Sequence, residues 1–268
     1  MNSLLARAEP LWLELQAVLP GISVEVLPSC SSTNSLLLER ARRGDTAGCL
    51  LATTHQTAGR GRQGRAWLAP PGTTLAFSLA LPLQPVQWDG LSLMVGAVLA
   101  DALDAGGRTI ALKWPNDLWL RDADGGGRKL GGILVETVAV GAQRVVVVGV
   151  GLNLLPLPPD ADRSAYGSGY ACLQEVDPAC NATAALEAVA VPLLRGLLRF
   201  AEHGFAPWHG RFAARDLLRG RAVHSQGAQT VAGVAEGVND SGALLVRDGA
   251  TLHRIVSGEV SVRIAGAA

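Results

Sequence analysis

The chain has 268 residues, 49% of them hydrophobic, with 23 basic side chains balanced by 23 acidic ones. That length and composition suit one large domain with a small one beside it. Zero net charge argues against a general polyanion binder, which would be basic, and the four cysteines (Cys30, Cys49, Cys172, Cys180) form no C-x-x-C pair and read as reduced thiols of a cytoplasmic protein.

The first residues show no secretory pattern, because Arg7, Glu9, Pro10 and Glu14 interrupt the leucines. No apolar window is long enough to span a bilayer, so no membrane partner is expected. Residues 3–18 read as an amphipathic helix stopping before Pro20-Gly21, and Ile22 to Leu27 as a strand. Ser31-Ser32-Thr33-Asn34 then caps a helix through Ala41 that Gly44 closes. Cys49 to Thr53 reads as a strand feeding His55-Gln56 and the run Gly59-Arg60-Gly61-Arg62-Gln63-Gly64-Arg65, with Trp67 just after. Glycines let a backbone approach a ligand closely, and arginines offer forked donors to phosphate or carboxylate. Alone, such a run is as readily a flexible loop or a nonspecific nucleic-acid contact.

Thr74 to Leu81 is a further strand, Leu91 to Leu103 a buried helix, and Ile110 to Trp114 a strand running into Pro115-Asn116-Asp117. Leu118-Trp119-Leu120 and Lys129 to Glu136 flank a turn at Asp124-Gly125-Gly126-Gly127, predicting a hairpin. The valine-rich stretch from Arg144 to Leu154 reads as a central strand, residues 155–170 as an irregular loop, and Ala182 to Glu202 as a helix. Because hairpins accompany the strand–helix alternation, an α+β fold with a mixed β-sheet is expected. From about Leu217 short strands and turns at Asn239-Asp240-Ser241-Gly242 and Asp248-Gly249 predict a small β-barrel docked on the first domain, dividing the chain into 1–216 and 217–268.

Four polar clusters fall at strand ends or in loops: Ser32-Thr33-Asn34, Gln56 to Trp67, Lys113 to Asp117, and Lys129-Leu130-Gly131-Gly132. Each alone has an ordinary structural explanation: a solvated lysine, a turn, a strand irregularity. Together their glycine amides, arginines, lysines and Asn-Asp pair suit a triphosphate with its magnesium ion. The chain has no Walker G-x-x-x-x-G-K-[ST] motif, no G-x-G-x-x-G turn leading from a strand into a helix and no Ser-His-Asp or Cys-His signature. The chemistry indicated is positioning and charge neutralisation, without a covalent side-chain intermediate.

These blocks, in this order, resemble the biotin–protein ligases (holocarboxylase synthetases). The likeness rests on Gly59-Arg60-Gly61-Arg62-Gln63-Gly64-Arg65-x-Trp67, Lys113-Trp114-Pro115-Asn116-Asp117, Lys129 to Glu136, Gly149-x-Gly151-x-Asn153, Gly242-Ala243-Leu244-Leu245 and Gly258-Glu259-Val260-Ser261. The resemblance implies a catalytic domain like those of class II aminoacyl-tRNA synthetases and biotin synthetases, with an SH3-like C-terminal barrel. It implies two steps: biotin attacks MgATP to give biotinyl-5′-AMP, and a lysine of a biotin carboxyl carrier protein then takes the biotinyl group.

By the same resemblance, Ser32, Thr33 and Gln56 hold the ureido ring with Gly59 and Arg60 nearby, Asn34 also binds biotin, and Trp67, Gly131 and Gly132 line its apolar part. Arg62 and Arg65 grip phosphate, and Lys129 sits at the carboxylate–phosphate junction. Lys113, Asn116 and Asp117 serve ATP, magnesium or the incoming amine, and Asn153 and Tyr170 lie by adenine. Lys129, Arg62, Lys113 and Asp117 form the expected catalytic group. Metal ligands are left unassigned. Ser32 lies too near the start for the DNA-binding head of repressor members, so no DNA partner is expected. The pattern leaves both a monomer and a homodimer open. A lipoate–protein ligase is the nearest rival reading, and a nucleic-acid binder without enzymatic activity the more distant one.

Overall fold

A computed structural model describes residues 2–123, 125–226, 230–256 and 261–264. Helices α1 (Asn2–Ala6) and α2 (Ala8–Gln16) open the chain where one helix was predicted. Strand β1 (Ser23–Leu27) leads to α3 (Thr33–Arg42), then β2 (Cys49–Thr53), β3 (Thr74–Pro82), α4 (Leu91–Leu103), β4 (Ile110–Lys113) and β5 (Asp117–Arg121). Next come β6 (Gly127–Val140), β7 (Gln143–Asn153), α5 (Ala182–His203) and α6 (His209–Arg215). The last helix had no sequence-based expectation: Gly210 breaks its apolar pattern and it is under two turns long.

These strands form a seven-stranded sheet in the order β1-β2-β3-β7-β6-β5-β4. Only β1 and β2 run parallel, joined by the α3 crossover, and the remaining neighbours are antiparallel, which is the mixed sheet expected. Its central strands are buried on both faces. Residues alternate between the faces, so Leu51, Ala80, Val145 and Val147 pack under Leu37, Leu38 and Ala41 of α3. Leu50, Leu79, Val146 and Val148 face the other way, into the main core with Met94 and Val98 of α4 and Val189 and Leu193 of α5. The valine run therefore feeds two cores, which explains why it shows no alternation.

The remaining strands, β8 (Ala222–Gln226), β9 (Ala232–Val238), β10 (Leu244–Asp248), β11 (Thr251–Ile255) and β12 (Ser261–Ile264), make a five-stranded antiparallel sheet ordered β11-β10-β9-β8-β12. It is docked firmly. Val223, Leu244 and Val246 belong to the same core as α4 and α5. The Trp114 indole donates to the Gly242 carbonyl at 3.0 Å, and Gly242 lies so near Gly90 that a Cβ on it would sit 2.7 Å from the Gly90 Cα. That contact, together with φ +80, requires glycine at 242. Asp124 of the predicted hairpin turn and Gly258, Glu259 and Val260 of the last motif lie outside the described residues.

Candidate active site

On the sheet face that α3 covers, the side chains run out beyond the helix. Val145 and Val147 are followed on that face by Gly149 and Gly151, and Gly132 pairs with Gly151. Three glycines thus remove the second core layer, leaving a cavity of about 530 Å³ over a bare floor. A Cβ on Gly149 would lie 2.1 Å from the Asn34 Oδ1, and one on Gly151 would lie 2.6 Å from the Trp67 ring. Both glycines exist to admit those side chains.

One end of the cavity is neutral and hydrogen-bonded. Ser32 caps α3, its hydroxyl accepting from the Ser35 amide at 3.4 Å, which sets Thr33 and Asn34 on the first turn facing the floor. Thr33 donates through its backbone amide to Gln56 Oε1 at 2.8 Å, and its hydroxyl lies 3.2 Å from the same oxygen. The buried Ser78 hydroxyl donates to Asn34 Oδ1 at 2.6 Å and lies 2.7 Å from Thr33 Oγ1. Asn34 Nδ2 reaches the Leu134 carbonyl at 3.1 Å and Glu136 Oε2 at 2.9 Å. Ser32, Thr33, Asn34 and Gln56 all line the cavity, and the amide of Asn34 is engaged on both sides by the protein itself.

The Gly/Arg loop forms one wall. It folds back on itself: Gly61 N donates to Arg65 O at 2.7 Å and Trp67 N to Gly59 O at 2.9 Å, around a short 3-10 turn at Arg62–Gly64. Gln63 at the tip has φ 56, a left-handed conformation rare outside glycine, followed by Gly64 at φ 70. Gly59 is itself outside the lining, because a Cβ there would meet Gln56 Nε2 at 2.9 Å. Arg60 points toward α3 and β6, donating to Glu136 at 3.0 Å and to Ser35 Oγ at 3.1 Å. Trp67 lays its ring against Gly151 and Gly132, and its buried Nε1 has no hydrogen-bond partner.

The other end is cationic. Lys129 Nζ pairs with Asp117 Oδ1 at 2.8 Å and stands 5.7 Å from the Trp67 ring centroid, beside Gly132. Arg62 donates to Asn116 Oδ1 at 3.3 Å, and Asn116 is fixed by its own amide on the Ile133 carbonyl at 2.8 Å. Lys113 extends over the Trp119 ring, 4.8 Å from its centroid. Burial pulls the pKa of both Lys113 and Arg62 down, opposed in each case by the charge of Asp117. Lys129, Arg263 and Arg65 add repulsion at Lys113. Asp117 is the one carboxylate lining the cavity among the described residues. An end with this excess of cations is built to receive a polyanion.

Gly131, Asn153 and Tyr170 were expected at the ligand and do not line the cavity. A Cβ on Gly131 would lie 2.7 Å from the Gly151 carbonyl, so this glycine serves strand packing. Asn153 is buried and donates to the Lys129 carbonyl at 3.2 Å and the Ala171 carbonyl at 2.9 Å. Tyr170 bridges to Lys129 and donates its hydroxyl to Leu155 O at 2.7 Å. Both residues grip the backbone that carries Lys129, where direct contact with adenine had been expected. Conversely, Trp119, Arg221 and Arg263 line the cavity without having been singled out. Trp119 was legible as the only aromatic beside Lys113-Trp114-Pro115-Asn116-Asp117, but the two arginines enter from the C-terminal sheet and carry no local signal.

Comparison with known proteins agrees with this geometry. Residues 26–153 match the model of the biotin/lipoate A/B protein ligase family, and residues 220–263 that of the biotin protein ligase C-terminal domain. The chain is 36% identical over 253 residues to the bifunctional ligase/repressor BirA of Escherichia coli, spanning 92% of this chain and 76% of that one. It is 34% identical over 259 residues to the biotin–[acetyl-CoA-carboxylase] ligase of Mycobacterium tuberculosis, covering 88% of each. Among solved structures, the biotin protein ligase of Aquifex aeolicus in complex with biotin and ATP superposes with a TM-score of 0.73 at 25% identity, over 90% of this chain and 99% of that one. The chain belongs to the biotin protein ligase family.

Proposed function

We propose that this chain activates biotin with ATP and transfers the biotinyl group to a lysine of a biotin carboxyl carrier domain. The observation that carries this reading is a single cavity with a neutral, hydrogen-bonded end and a cationic end, joined at Lys129, Asp117, Trp67 and Gly132. Biotin has that division: an uncharged ureido head, an apolar body and a terminal carboxylate. Thr33 and Gln56, with Ser32 beside them, meet the head. The Trp67 face and the Gly132 and Gly151 backbone meet the apolar body. The carboxylate then arrives next to Lys129.

In the first step a carboxylate oxygen bonds to the α-phosphorus of ATP, the bond to the β-phosphate oxygen breaks, and pyrophosphate leaves. Two anions must approach each other, so Lys129, Arg62, Arg65 and Lys113 lower the encounter penalty and stabilise the charge on the equatorial oxygens. Asn116 holds the Arg62 fork in register. A magnesium ion bound with the triphosphate would supply further neutralisation. Asp117, the carboxylate lining the cavity among the described residues, would be the side chain available to such an ion. In the second step the neutral amine of the acceptor lysine attacks the acyl carbon, the bond to the phosphate oxygen breaks and AMP leaves as the amide forms. Asp117, once Lys129 turns to the ligand, is the group placed to take the amine's proton.

The C-terminal match and the named relatives favour biotin over lipoate. ATP–pyrophosphate exchange tests the choice: exchange is expected with biotin and absent with lipoate, and exchange supported by lipoate alone would overturn the reading. No helix among the described residues is long and apolar enough to cross a membrane.

A further inference from the structure

Glu136 lies outside the cavity lining, yet it joins the two elements that build the neutral end. Both its carboxylate oxygens receive Arg60 Nη2, at 3.2 and 3.0 Å, and Oε2 also accepts from Asn34 Nδ2 at 2.9 Å. From Asn34 the contacts pass through the buried Ser78 hydroxyl at 2.6 Å to Thr33 Oγ1 at 2.7 Å, and on to Gln56 Oε1 at 3.2 Å. Gln56 then packs on Gly59, where a Cβ would come within 2.9 Å of its Nε2. Gly59 adjoins Arg60, so the circuit closes. It begins and ends at the root of the Gly/Arg loop and passes through the polar side chains of the cavity's neutral end.

An ion pair exposed as Arg60 and Glu136 are, at 41% and 26%, contributes little to stability by itself. The second acceptor role toward Asn34 gives it a different consequence. Members of one hydrogen-bonded network are coupled, so disturbing one shifts the others. We propose that Glu136 is a positioning residue for biotin: it ties the loop root to the first turn of α3, so that the loop and the ureido-binding side chains are ordered as one unit. This rests on the assignment of the neutral end to biotin.

Glu136→Gln keeps the size and an acceptor for Asn34 but removes the charge that holds Arg60. Steady-state exchange assays with biotin and ATP varied in turn read the result. The biotin KM is expected to rise about tenfold, within the range of couplings in such networks, with kcat and the ATP KM little changed. Arg60→Gln is expected to raise it similarly, and the double variant to be no worse than either single one. An unchanged biotin KM in Glu136→Gln, an equal rise in both KM values, or additive single effects would overturn the proposal. A urea midpoint for each variant separates this from loss of folding. Thr33→Val serves as the marker of the biotin end. If it raises the biotin KM while Glu136→Gln does not, Glu136 alone loses its role; if it too leaves the biotin KM unchanged, the assignment of that end falls and this proposal with it.

Discussion

The two ends of the cavity are built on opposite principles. At the neutral end Thr33, Asn34, Gln56 and Ser78 satisfy one another before any ligand arrives. At the cationic end Arg62, Arg65, Lys113, Lys129 and Arg263 share one carboxylate, Asp117, in the lining. The first arrangement is preorganised, so little ordering is left for the ligand to drive. The second is electrostatically frustrated without an anion, so a polyphosphate relieves strain as it binds. Stability and function coincide at one end and oppose each other at the other.

The largest break in this contrast comes at the junction. Lys129→Met removes the cation between carboxylate and phosphate, and the biotin-dependent exchange rate is expected to fall about 10²–10³-fold, the size seen when one such electrostatic donor is lost. Biotin binding measured without ATP is expected to persist.

Gly149→Ala attacks the neutral end through packing. Its new Cβ collides with Asn34, which has Ser78, Leu134 and Glu136 on every side and no room to retreat. Chemical denaturation is expected to show a loss of about 1–3 kcal/mol, the usual cost of overpacking, together with weaker biotin binding.

Thr33→Val is milder. It removes one hydroxyl from a buried network while leaving the backbone bond to Gln56, and a rise of roughly tenfold in the biotin KM with the ATP KM unchanged is expected.

Lys113→Met has the smallest effect on stability and the most informative sign. Burial lowers the lysine's pKa in the folded state below that of the unfolded chain. Between those two values the unfolded chain holds the extra proton, so folding stability rises with pH, and below the folded value the penalty is fully present. At neutral pH the methionine variant is therefore expected to be relieved of that penalty, and to lack the alkaline rise. Its ATP KM should increase. Urea midpoints across the alkaline range check both statements.

Much of this contrast was legible in the sequence, and what was hidden has physical reasons. Lys113-Trp114-Pro115-Asn116-Asp117 announces a polar turn between strands, and β4 and β5 do meet there. The Gly/Arg run pointed to a close backbone approach, whereas the need for Gly149 and Gly151 appears only in the fold, where Asn34 and Trp67 occupy the space they leave. Local pattern gives a residue's neighbours along the chain, not its partners across the fold, so the bonds from the Asn153 amide to the Lys129 and Ala171 carbonyls were not legible. Arg221 and Arg263 reach the cavity through docking of the second sheet, a contact between segments far apart in sequence. Glu136 stood inside a recognised block, yet its importance comes from Arg60 and Asn34, which only the fold brings together.

The division between the two ends is tested most directly by titrating biotin, without ATP, into the parent protein and Arg65→Ala, alongside the ATP KM of each in exchange. The account predicts a biotin Kd unchanged within about twofold, as for independent sites, with an ATP KM raised about tenfold, as for the loss of one charged hydrogen bond. A biotin Kd that weakens as much as the ATP KM rises would contradict it.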